Sequence, residues 1–152
     1  MAKKIVAKAL QAAEHTRFEY AVKFICGVAG ANASSSRIVA PGQYFTAINV
    51  HNPSFIQPVR FQWKIAIAPP GVRGGPISGF FEAVLKPDQA LEIDCPDIFE
   101  RSPVRTPLLK GFVVLVTPLE LDVVAVYTAE PKPGAGVQTL ETERVPARVM
   151  SQ

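Results

Sequence analysis

His51, Asp94 and Cys95 are residue types that nucleophilic catalysis uses, and the sequence places them on two well-separated segments. A Cys–His couple needs thiol and imidazole within hydrogen-bond reach, with a third group orienting the ring. That would require the segments around 51 and 95 to be neighbours, and no local motif surrounds either residue. The plainer reading of His51, in Val50-His51-Asn52-Pro53, is a turn histidine whose ring caps a backbone group. His51, Glu92, Asp94 and Asp97 would form a metal set if they converged at one end of the fold. None of them shows the HxH or HExxH spacing that fixes two ligands on one element. The glycine-rich run Gly71-Val72-Arg73-Gly74-Gly75 is not followed by a helix opening on Lys-Ser or Lys-Thr, so it reads as a loop and not as a phosphate cradle. These patterns name no catalytic residue, no cofactor and no metal ligand, and the expectation is a protein that is not an enzyme.

The elements that would have to position such groups are strands. The chain has 152 residues, 48% of them hydrophobic and 19% charged, enough to bury the core of one domain. Fourteen prolines and ten glycines punctuate it into short segments, which favours strands and loops over helices. Sixteen basic residues against thirteen acidic ones give a net charge of +3. The basic residues are scattered, without the one-sided patch or arm of a nucleic-acid binder.

Residues 3–15 carry Ile5, Val6, Ala9, Leu10 and Ala13 at helical spacing, a narrow apolar face on a short helix. The same stretch begins like a leader, but Lys8 and Gln11 interrupt its apolar run. No segment has transmembrane length, since even 111–129 contains Glu120 and Asp122. The expected compartment is the cytoplasm, with export as the alternative if the native leader is missing from this chain.

From Phe18 the period becomes two. Tyr20, Val22, Phe24 and Cys26 share one face of a strand, and Val59, Phe61, Trp63, Ile65 and Ile67 share one face of another. Further strands are predicted at 44–50, 80–85, 91–95 and 137–145. Residues 112–117 and 121–128 are predicted to pair as a β-hairpin around Pro118-Leu119-Glu120. PDIFERS suits a short helical turn with Asp97 near its start. The expected fold is an all-β antiparallel sandwich of about eight strands with a short N-terminal helix; a β-barrel is the alternative. The organisation is an N-terminal helical arm (1–17), one β-sandwich domain (18–146) and a tail (147–152). Cys26 and Cys95 fall on inward parities and are expected to be reduced, buried thiols. A Cys26–Cys95 disulfide would instead point to an oxidising compartment.

Trp63, in register with Phe61 and Ile65, is expected in the core. Phe55, in a proline-flanked loop, Phe81, beside Phe80, and Arg73, in its glycine-rich loop, are the candidate ligand contacts.

Four segments from Phe45 to Ala129 carry a family resemblance. FTAINVHNP, VRFQWKIAI, FFEAVLKPDQALEIDCPDI and KGFVVLVTPLELDVVAVYT, in that order, resemble the sensory rhodopsin transducer family. The resemblance implies a small β-sandwich that forms oligomers and binds partner proteins. It carries over no binding residue.

Both faces of 121–128 are apolar, and a patch of more than a few hundred Å² is rarely left open on a monomer. Val124 and Val126 on one face, and Ile5 and Leu10 on the arm, are therefore the candidate interface residues. The expected function is a non-enzymatic, self-assembling structural or adaptor protein acting through protein–protein contacts as a homo-oligomer. The alternative is a carbohydrate or small-ligand binding module.

Overall fold

The computed structural model describes residues 16–30 and 39–150. The predicted helix over 3–15, with Ile5 and Leu10, lies outside the described residues. In chain order the strands are β1 (Arg17–Ala29), β2 (Gly42–His51), β3 (Val59–Ile67), β4 (Phe81–Leu85) and β5 (Ala90–Asp94). After helix α1 (Cys95–Arg101) come β6 (Leu108–Thr117), β7 (Asp122–Glu130), β8 (Thr139–Arg144) and β9 (Arg148–Met150).

All pairings are antiparallel and form one open sheet in the order β4-β3-β6-β1-β2-β7-β8, with β5 added to β2 and β9 to β1. β1 and β2 pair only where Gly27–Ala29 meets Tyr44–Gly42. Beyond that corner they diverge. The Thr46 hydroxyl continues the ladder, accepting from the Ile25 amide at 3.0 Å and donating to the Ile25 carbonyl at 2.9 Å. The two halves then close over a common core. Tyr20, Val22, Phe24, Phe61, Ile65, Val113 and Leu115 come from one half, and Ile48, Val50, Ile93, Val123 and Ala125 from the other. The result is the expected all-β architecture, with its two layers joined through one corner. Among the described residues β4 and β8 end the sheet unpaired to each other, so the described strands do not close as a barrel.

Trp63 is buried, its ring 4.9 Å from that of Phe81 and with the Arg101 guanidinium 5.7 Å above it. α1 covers the turn predicted in PDIFERS and takes Cys95 from the end of the strand predicted at 91–95. Asp94 caps it by accepting from the Asp97 amide, and Asp97 accepts from the Asp94 amide in return, so two otherwise orphan donors are satisfied.

Two expectations are corrected. Cys26 and Cys95 are not free thiols: they form a disulfide. Inward parity on β1 places Cys26, and the first position of α1, directly after β5, places Cys95, in the same core where the halves converge.

The segments 112–117 and 121–128 are not a hairpin. β6 lies between β1 and β3, and β7 lies between β2 and β8. The connection crosses from one layer to the other, and Tyr20 anchors its end. The Tyr20 hydroxyl donates to the Leu121 carbonyl and accepts from the Leu121 amide, both at 2.8 Å. Apolar residues on both faces of β6 reflect a central strand. Its outer Phe112 is partly covered by Lys23, whose ammonium sits 5.2 Å from the ring centroid.

Part of the predicted tail, 147–152, falls in a strand. Residues 148–150 form β9 on β1, where Arg148 pairs with Glu19 at 2.6 Å, bringing the strands to nine.

Candidate functional site

Strand direction sorts the loops to two poles. β2 ends, β3 begins and β4 turns into β5 at one pole. At the other, β1 and β3 end and β6 begins.

At the first pole the β2–β3 loop carries Phe55 and Ile56, each 83% exposed. The loop beneath them is fixed by Asn52, only 1% exposed. Its Nδ2 donates to the carbonyls of Gln57 at 2.8 Å and Lys86 at 3.1 Å, and its Oδ1 accepts from the Ser54 amide at 3.1 Å. The Ser54 hydroxyl accepts from the Gln57 amide at 2.9 Å, and the Ser54 carbonyl accepts from the Asp88 amide at 3.0 Å. Asp88 itself turns the neighbouring chain with φ +57°, a conformation that Asp tolerates better than most residues. Two bulky apolar side chains therefore stand on an ordered base, as a knob.

His51 lies beside this base. Its Nδ1 faces Asp122 and its Nε2 faces Asp88, each at 3.0 Å, and Arg144 reaches Asp122 at 2.9 Å. Both ring nitrogens can donate only as the imidazolium, so the hydrogen bond to Asp122, then that to Asp88, raises the His51 pKa above its ordinary value. The ring thus bridges carboxylates and does not cap the backbone. Nor does it meet Cys95, which is held in the disulfide. The proposed metal set is also dispersed: Glu92 accepts from Asn49 at 2.8 Å, while Asp94 and Asp97 are engaged in the helix cap.

At the second pole lies a cleft of about 660 Å³ walled by Val28, Ile67, Pro69, Val104 and Leu108, with Arg73 and Lys110 also lining it. Its walls depend on close backbone approaches. At Gly27, with φ +107°, a Cβ would overlap the Pro107 carbonyl, which accepts from the Val28 amide at 2.9 Å. A Cβ at Gly75 would overlap the Ile67 carbonyl.

The three candidate ligand contacts are not brought together. Phe55 and Arg73 stand at opposite poles, and Phe81 is half-buried against Trp63. It is Phe80 that turns outward, beneath the Lys64 ammonium at 4.9 Å. Val124 and Val126 lie half-buried on the outer face of β7. Val124 is paired with Asn49 and Arg144, and Val126 with Ala47 and Thr142. Sequence reading missed Asn52 and Ile56. The Asn-Pro-Ser run was the available signal, since an Asx turn at a strand end announces an ordered loop.

Fold and surface together define an all-β protein with a two-layer core and shaped loop ends. No helix among the described residues is long and apolar enough to cross a membrane. No family model, no curated protein and no solved structure matches the chain.

Proposed function

We propose that this chain is a non-enzymatic β-sandwich that acts through protein–protein contacts, as a self-assembling structural or adaptor protein, and that the Phe55–Ile56 knob is its principal contact. The observation that carries this reading is the immobilised loop. Scattered exposed apolar residues are ordinary. Here two adjacent ones are held by a buried side chain whose polar atoms bond the loop backbone. Contacts made from an ordered loop lose little conformational freedom on binding, so more of their burial appears as affinity. Val124 and Val126 are weaker contacts on this reading, because neighbouring side chains already cover part of each. The Cys26–Cys95 disulfide supports the exported alternative for compartment, since such bonds persist in oxidising surroundings.

The test is solution mass by light scattering for the unmodified protein and for a Phe55→Ser, Ile56→Ser double variant. Loss of association in the double variant, with Val124→Lys and Val126→Lys as the comparison pair, supports the knob. Loss only in the valine variants moves the contact to β7.

A second reading, a small-ligand binding module, is favoured by the 660 Å³ cleft with Arg73 on its lining. No aromatic ring lines that cleft, so it suits an apolar ligand better than a sugar.

A further inference from the structure

The knob needs a receptor, and the molecule carries an apolar cleft that its own knob cannot reach. β3 separates them: its nine residues span about 27 Å, with Phe55 before its start and Arg73 beyond its end. We propose that the cleft receives the Phe55–Ile56 knob of a second copy, so that the chain assembles head to tail. This rests on the knob being the principal contact and names what it contacts.

Size, chemistry and charge argue for this occupant. A cleft of about 660 Å³ with Pro, Val, Ile and Leu walls has room for two apolar side chains. The cleft-pole loops, residues 68–80 and 102–107, carry Arg73 and Arg105 and no carboxylate. The knob-pole loops, 52–58, 86–89 and 118–121, carry Asp88 and Glu120 against Lys86 alone. The cleft pole is therefore positive, while at the knob pole the His51 ring, Arg144 and Lys86 offset Asp88, Asp122 and Glu120 and leave it near neutral, so a cleft pole meets the knob pole of another copy with less repulsion than a second cleft pole. Docking would also bring Phe55 of one copy to the Arg73 side of the next, uniting two residues that one chain keeps apart. A contact between unlike surfaces leaves a free knob at one end and a free cleft at the other, so the assembly grows into rings or filaments and does not stop at a dimer.

The experiment uses two kinds of variant. Phe55→Ser with Ile56→Ser removes the knob without adding charge that the Arg73 and Lys110 lining would attract. Val28→Glu and, separately, Gly74→Trp spoil the cleft: Val28 is exposed on its wall, and a Cβ at Gly74 meets nothing, so both changes are compatible with folding. Sedimentation equilibrium from micromolar to millimolar concentration reads the result, with circular dichroism checking the fold. The unmodified protein is expected to grow past the dimer as concentration rises. Each variant alone is expected to associate at least about 30-fold more weakly, the effect of losing an interface anchor. Mixed in equal amounts, knob and cleft variants are expected to form a one-to-one dimer and nothing larger, because one intact knob meets one intact cleft.

Association that stops at a dimer in the unmodified protein overturns the proposal. So does a mixture that stays monomeric while each parent folds. If the knob variant is monomeric but the mixture does not pair, the knob remains a contact and only its receptor is wrong. If the knob variant associates like the unmodified protein, the knob reading itself fails. A protein monomeric at every concentration whose cleft takes up decanoate overturns the proposal in favour of a small amphiphile.

Discussion

Asn52 orders the knob pole by supplying hydrogen bonds, whereas Gly27 and Gly75 order the cleft pole by leaving side chains out. At the knob pole a buried amide meets backbone groups from 52–57 and 86, and the loop keeps its shape because those groups would otherwise be unpaired away from water. At the cleft pole backbones approach until no Cβ fits between them, and the nearby disulfide ties β1 to the start of α1. The first arrangement is polar and reversible; the second is steric and covalent. The difference teaches that one fold can present two stiff surfaces whose failure modes are separate, and each can be broken with little effect on the other.

The largest effect should come from the covalent tie. Cys26 and Cys95 are 69 residues apart in sequence, and closing a loop of that size in the unfolded chain is worth about 4 kcal/mol in the chain-entropy model. Cys26→Ala with Cys95→Ala should lower stability by that order in urea unfolding, and reductant should do the same to the unmodified protein. An unfolding midpoint unmoved by reductant would remove the disulfide from the account of the cleft pole.

Asn52→Ala should cost about 3 kcal/mol, since it strands several backbone groups at once. Amide exchange should speed up across 53–57 while the cleft-pole amides keep their protection. Uniform acceleration would mean that the poles are not separate.

Gly75→Ala should cost about 2 kcal/mol by forcing the backbone off Ile67, whereas Gly74→Ala, one residue away and facing open space, should stay within about 0.5 kcal/mol of the parent. Equal effects would show that the cleft loop is not held by close approach.

The smallest effect belongs to His51. Its pKa is raised in the folded state, so its bridge to Asp122 and Asp88 contributes fully below about pH 6.5, the unfolded value, and fades as pH rises through the folded value. The side chain is about a third exposed, so the contribution is a few tenths of a kcal/mol, roughly. His51→Gln should flatten that part of the stability profile at the knob pole. A profile unchanged by the substitution would leave the ring without a role in holding Asp88 and Asp122.

The strands were legible because burial on one face imposes alternation, and β1, β3 and the core position of Trp63 follow from it directly. The short helical turn over PDIFERS was legible from its local residues, but its cap was not, since Asp94 and Cys95 read as the end of a strand. Pairing was not. The hairpin expected around Pro118 failed because its partners lie far away in sequence, and Tyr20 anchors Leu121 at the crossing to the other layer. The two halves of the candidate site were read unequally. Phe55 and Arg73 could be named from their loops, but nothing local says that Asn52 turns inward or that the two loops stand at opposite poles.

The sequence by itself determined where eight of the nine described strands run and which face of the longer ones is apolar, since these depend on side-chain period and local backbone preference. Only the tertiary structure decided that Cys26 meets Cys95, that β6 and β7 part into different layers, and that a knob and a cleft face away from each other. Those outcomes depend on which distant strands share an edge, and strand pairing is made by backbone hydrogen bonds that almost any side chain permits.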